Sequence, residues 1–136
     1  MKKLTWLLIP LFGFMMASCG EDADLANPNT VTDVVTQGKW KINIYLDASQ
    51  DQTSDFAGYS LGFERNGVVT ATCNGTDCSG SWSEDRVTRK LTINFPNASP
   101  VLERINNQWS VADINAALIH LSNNETGNEF LGITQQ

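Results

Sequence analysis

GKWKINIYLD, Gly38–Asp47, changes character at every step. Trp40, Ile42, Ile44 and Leu46 alternate with Lys39, Lys41, Asn43 and Tyr45. Successive side chains of a strand point to opposite faces, so this period of two predicts a half-buried β-strand with the first set inward. The pattern then spreads along the chain. Tyr59, Leu61 and Phe63 repeat it within residues 56–65, RNG at 65–67 is a hairpin turn signal, and VVTATC, 68–73, leads to a loop that carries cysteines. GSWSE, 80–84, resumes the pattern, and RKLTINF, 89–95, sets Leu91, Ile93 and Phe95 on one side. Pro96 and Pro100 bracket a break in which Val101, Leu102 and Ile105 fit a short helical turn.

Two segments read differently. TVTDVVTQ, 30–37, puts Val31, Val34 and Val35 on one helical face. Thr30 suits the cap, Asp33 the positive first turn, and Gly38 a left-handed stop. VADINAALIHLS, 111–122, fits an amphipathic helical turn or two. It also fits two strands, Trp109 with Val111 and Ile119 with Leu121, joined near Asp113–Asn115. We take the strands, with NNETGN, 123–128, as a turn and EFLGITQ, 129–135, as the last strand. The sum is an all-β domain of about eight short antiparallel strands with a short N-terminal helix. That suits an up-and-down barrel or a tightly rolled sandwich.

The N-terminus is laid out as a secretory signal. Lys2 and Lys3 precede an apolar run, Leu4–Ala17, that is short of the roughly 20 residues of a membrane span. Met16-Ala17-Ser18-Cys19 resembles the lipobox of bacterial lipoproteins, with Met16 where leucine is usual. The resemblance implies a signal peptide over 1–18 and a Cys19 that becomes the first mature residue, diacylated on sulfur. Two acyl chains make attachment stable where one does not. The alternatives are a secreted chain with an incidental Cys19 and an uncleaved anchor. GEDADLANPN, 20–29, is acidic and carries Pro28, so 19–29 reads as the lipidated cysteine and a flexible tether. Similar acidic clusters mark surface-exported lipoproteins in some Gram-negative lineages. The expected address is the cell envelope: an outer membrane held through the lipid, with the domain facing outward or not.

Without Lys2 and Lys3, seven basic residues face 15 acidic ones. Such a surface repels phosphate backbones, so nucleic acid is no partner. If Cys19 carries lipid, Cys73 and Cys78 remain as an even pair flanking Asn74-Gly75-Thr76-Asp77. Read as strand ends around that turn, they face each other, and an oxidising envelope would join them in a disulfide. A metal is the weaker reading, because tetrahedral zinc wants four ligands and His120 is the one histidine. Asp47, Asp51 and Asp55 recur every fourth residue but lack the ligand spacing of a calcium loop, and a solvated loop is expected there. Glu84 and Asp85 are neighbours on a strand and point apart, which excludes shared acid–base work. No nucleophile elbow, zinc-protease helix or phosphate loop is present, so no catalytic residue and no cofactor are expected.

Gly38-Lys39-Trp40, opening a strand after a short helix, resembles the Gly-x-Trp signature of the lipocalin and wider calycin group. The FERNG hairpin, GSWS and WSV that follow look like the small lipocalin-like domains of bacterial lipoproteins. The resemblance covers residues 30–136 and implies a barrel with one open end. Lipocalins are half as long again and carry an arginine near the last strand that stacks on the first tryptophan; here none follows Arg104. Strands of about seven residues, tilted near 40°, give a wall roughly 18 Å tall, which side chains can fill or which can hold one small molecule. Trp40, Tyr59, Phe63, Trp82, Phe95 and Trp109 therefore either form the core or line a shallow apolar pocket. The expectation is a lipid-anchored binding module for a small apolar ligand. The alternative is a non-catalytic scaffold whose surface meets another envelope protein or a glycan.

Overall fold

The computed structural model describes residues 30–123, 125 and 128–136. The proposed signal peptide, Cys19 and the tether lie outside the described residues, as does part of the 123–128 turn. Helix α1 (Val31–Val35) precedes β1 (Lys39–Asp47), β2 (Gln50–Asp51), a 3-10 turn (Thr53–Phe56), β3 (Tyr59–Phe63), β4 (Val68–Cys73) and β5 (Thr76–Asp85). Then come β6 (Lys90–Asn94), α2 (Pro100–Glu103), β7 (Asn107–Ile114), β8 (Leu118–Asn123) and β9 (Glu129–Gln135). Each strand from β3 to β8 pairs antiparallel with the next. β1 pairs with β3 on one side and β9 on the other, which closes an eight-stranded barrel; β2 only extends β1 at its rim. The all-β, up-and-down reading holds, and the 111–122 segment is strand, as expected.

The helical expectations hold as well. Thr30 caps α1, its Oγ accepting from the Asp33 amide, and Gly38 sits at a φ of 92°. Pro100 opens α2, capped by Ser99. The RNG turn closes with the Glu64 amide donating to the Val68 carbonyl.

The inward set of β1 is not the expected one. Pairing with β9 shifts register between Ile42 and Ile44, a bulge at Asn43. A bulge adds one residue and reverses the parity beyond it. Trp40 and Ile42 point inward, but past the bulge Tyr45 is buried while Ile44 and Leu46 turn to the half-exposed outer face. Tyr45 can go inside because its hydroxyl has a partner, donating to Glu129 Oε1 at 3.0 Å. Asn107 and Asn123 donate to the other oxygen of that carboxylate.

Both ends of the bore are stoppered. At the α1 end, Val31, Val34 and Val35 are buried over the strands. Glu84 of β5 holds the helix there, accepting from the Val31 and Thr32 amides at 3.0 and 2.9 Å and from the Thr32 hydroxyl at 2.6 Å. At the other end Phe56, Leu102 and Ile105 are buried, and Arg104 links α2 to the 3-10 turn through Asp55, 2.7 Å away. The arginine contact missing after Arg104 is replaced locally. Trp40 Nε1 donates to the Val35 carbonyl, the Gln135 side chain donates to the Gln37 carbonyl, and the Gln136 amide donates to the Lys39 carbonyl.

Candidate functional site

Five of the six aromatic candidates fill the bore. Trp40, Phe95 and Trp109 are wholly excluded from solvent, and Phe63 and Trp82 nearly so, packed edge to face at 5.6 Å between ring centres. Each indole N–H is satisfied by main chain: Trp40 by Val35, Trp109 by Ile105, Trp82 by Glu64 and Val68. A buried donor so satisfied is not aimed at a ligand. These five are core, the plainer of the two readings. Tyr59 is the exception, half-buried at the rim.

The rim beside Tyr59 is hollow. A concavity of about 320 Å³ lies between the β4–β5 hairpin and the β6–α2 connection, at the end opposite α1. Its hairpin wall is Ala71, Cys73, Thr76 and Cys78, and its other wall is Tyr59, Asn97, Ala98, Ser99 and Leu102. The Tyr59 hydroxyl and Ser99 Oγ share a hydrogen bond at 3.1 Å, and Tyr59 leans on Phe56. Ligand sites for small molecules start at roughly 300 Å³ and are mostly apolar with a few polar groups. This hollow reaches the lower end of that size range, with Tyr59, Ala98 and Leu102 as apolar wall and one side open to solvent. A recess of about 60 Å³ by Thr30, Glu84, Arg86 and Arg89 is too small, and its carboxylate already serves α1.

Cys73 and Cys78 do not form the expected disulfide; both are free thiols. The reason is the length of the turn. Asn74 and Gly75 alone make it, at φ values of 52° and 77°, the two positive angles of a two-residue hairpin loop. Thr76 and Asp77 are therefore strand residues: Cys73 pairs with Thr76, and Cys78 with Ala71. The cysteines are diagonal neighbours on one face, about 7–8 Å apart at Cα by sheet geometry, beyond the reach of an ordinary disulfide.

The remaining candidates are structural. Asp51 accepts from the Thr53 amide and hydroxyl, which hold its carboxyl below the usual range. Asp55 pairs with Arg104, and among the described residues no three metal-binding side chains cluster. DASQDQTSD is folded rather than a loose loop, because it delivers Phe56 to the barrel end. His120 lies on the outer face against the Phe130 ring, 5.2 Å between centres. Glu84 faces α1 rather than Asp85, which accepts from the Val87 and Thr88 amides. Its clamp on α1, more than fifty residues away in sequence, carries no local signal.

No family model matches the chain, nor does any curated protein. Solved structures do. A DUF4847 family protein from Bacteroides vulgatus is 15% identical with a TM-score of 0.60, covering 79% of this chain and 98% of its own. A lipocalin-like protein from Bacteroides uniformis is 15% identical with a TM-score of 0.56, covering 74% and 98%. An uncharacterised protein from Bacteroides eggerthii is 14% identical with a TM-score of 0.52, covering 71% and 97%. At such identities the likeness is one of fold: a lipocalin-like barrel.

Proposed function

We propose that this chain is a non-catalytic, lipid-anchored module of the bacterial cell envelope that binds a small, mainly apolar molecule at the mouth of its barrel. The hollow of about 320 Å³ between Cys73, Cys78, Tyr59 and Leu102 carries the reading. The bore itself is filled, so the ligand sits at the rim and not along the axis. The anchor rests on the lipobox-like Met16–Cys19 and the acidic tether behind it.

Every barrel pairing and core residue described lies within residues 30–136, so that segment serves for titration with the uncharged apolar fluorophore N-phenyl-1-naphthylamine. One saturable site is expected, weakened about tenfold or more by Ala98→Trp, which fills the hollow, a difference of roughly 1.4 kcal/mol. Binding that ignores Ala98→Trp refutes the site. No saturable binding at all favours the scaffold reading, which gains from the half-exposed apolar strip of Ile44, Leu46, Leu118 and Phe130 outside the barrel. Mass spectrometry of the mature chain tests the anchor: a diacylglyceryl Cys19 at its start is expected, and an unmodified Cys19 refutes it.

A further inference from the structure

The hairpin that walls the mouth places two thiols on its inner face. Ala71, almost wholly buried, marks that face on β4. Cys73 lies two residues on and Cys78 directly opposite Ala71, so alternation sends both sulfurs to the same side. Cys73 Sγ lies near the turn that leads into β3: a Cβ built on Gly58 would lie 3.9 Å from it. Both side chains are half-buried and border the same hollow, so a small solute can reach them.

The diagonal register is too wide for a direct sulfur–sulfur bond, whereas a metal bridge, two bonds long, spans a larger gap. The ligand set decides which atom. Zinc wants four protein ligands in a closed site, and no third metal-binding side chain joins the cysteines among the described residues. Asp77, the nearest carboxylate in sequence, belongs to the opposite face and accepts from the Thr72 hydroxyl at 2.7 Å. Soft thiolates without further donors select the cuprous ion. We propose that Cys73 and Cys78 form a two-coordinate Cu(I) site in the wall of the mouth. Binding exchanges protons for metal: Cu⁺ and two thiols give a bis-thiolate complex of net charge −1 and two released protons, with no change of oxidation state. This inference rests on the mouth being the binding region and adds a thiophilic cation to what it takes.

The test is an anaerobic Cu(I) competition against the chromogenic chelator bicinchoninate, using the full chain with Cys19→Ser so that only the two barrel thiols remain. One Cu(I) per chain is expected. Cys73→Ser and Cys78→Ser should each weaken binding by about tenfold or more, since losing a ligand costs at least what losing a ligand's support does. Thermal melts of both variants confirm that the barrel persists. A loss below about tenfold in either variant, or more than one Cu(I) per chain, overturns the proposal. The fluorophore titration is run alongside. If copper fails and the fluorophore still saturates, the thiol site alone falls; if the fluorophore fails and copper holds, the apolar mouth falls and the thiol site stands.

Discussion

Glu84→Ala should loosen the α1 stopper and lower the stability of the whole barrel. The Glu84 side chain is only 8% exposed and takes three hydrogen bonds from the start of α1, two from main-chain amides and one from the Thr32 hydroxyl. A hydrogen bond to a charged partner contributes roughly 1.5–3 kcal/mol net. The three do not add, because water can reach the partly buried amides once the carboxylate has gone. The loss has a ceiling, since α1 can instead leave its seat and expose Val31, Val34 and Val35, at about 1.5–3 kcal/mol each. The balance is a cost of about 3 kcal/mol. Arg86, 4.0 Å from the same carboxylate and well exposed, adds little.

Urea unfolding followed by tryptophan fluorescence reads this loss directly, because the Trp40 indole donates to α1 itself at Val35. With a slope of about 2 kcal/mol per molar urea, the midpoint should fall by roughly 1.5 M. Glu84→Gln keeps the reach and an acceptor oxygen but loses the charge, and should cost about half as much. A midpoint shift below about 0.3 M for Glu84→Ala would show that α1 is held by its valines alone.

Two further substitutions probe the barrel wall. A Cβ at Gly80 would lie 2.3 Å from the Asn94 carbonyl oxygen and 2.7 Å from the Phe95 ring, and the main-chain oxygen cannot yield without breaking the β5–β6 ladder. Gly80→Ala should therefore cost about 1–3 kcal/mol and lower Tm by roughly 4 °C or more; a melt within about 2 °C of the parent would refute the clash. Tyr45 is the alkaline weak point. Burial first, and the Glu129 carboxylate second, push its phenol well above the ordinary value of 10.0. A group whose pKa is raised on folding contributes stability that is intact below its unfolded pKa and is lost as pH climbs beyond it. The parent should thus lose about 1.4 kcal/mol per pH unit above roughly pH 10 relative to Tyr45→Phe. Urea midpoints at pH 9, 10 and 11 measure the difference, and parallel pH profiles would refute it.

What the sequence disclosed followed from how local the cause was. Alternation in Leu61-Gly62-Phe63 and Leu91-Thr92-Ile93 needs only the strand itself, and both pairs are buried as read. The parity of β1 failed because its alternation runs unbroken through Asn43, while the bulge arises from pairing with β9, about ninety residues away. Alternation puts Tyr45 outside for the same reason: its hydroxyl partner Glu129 is distant in sequence. The cysteine error was different, since its signal was present. Asn-Gly alone is a complete hairpin turn. Counting Thr76 and Asp77 into the loop moved Cys78 from diagonal to opposite. Phe56 was hidden by polar neighbours, and only the fold shows that Asp51 and Arg104 shape the turn that buries it.

A filled bore has a consequence for how this barrel can bind. Placing a ligand on the axis would mean displacing a ring such as Trp109, whose removal from a packed core costs roughly 3–5 kcal/mol. It would also strip the indole N–H from the Ile105 carbonyl, leaving both groups to be satisfied anew. Any axial affinity would have to exceed that penalty. The mouth carries no such penalty, because Tyr59, Ala98 and Leu102 already border open space. The clamp of Glu84 on α1 and the link of Arg104 to Asp55 keep both stoppers seated, so the interior stays closed whatever the rim does. Tight packing inside and a hollow lip are thus one arrangement, in which the core supplies a rigid frame and the proposed binding falls to the β4–β5 hairpin and the turn before α2.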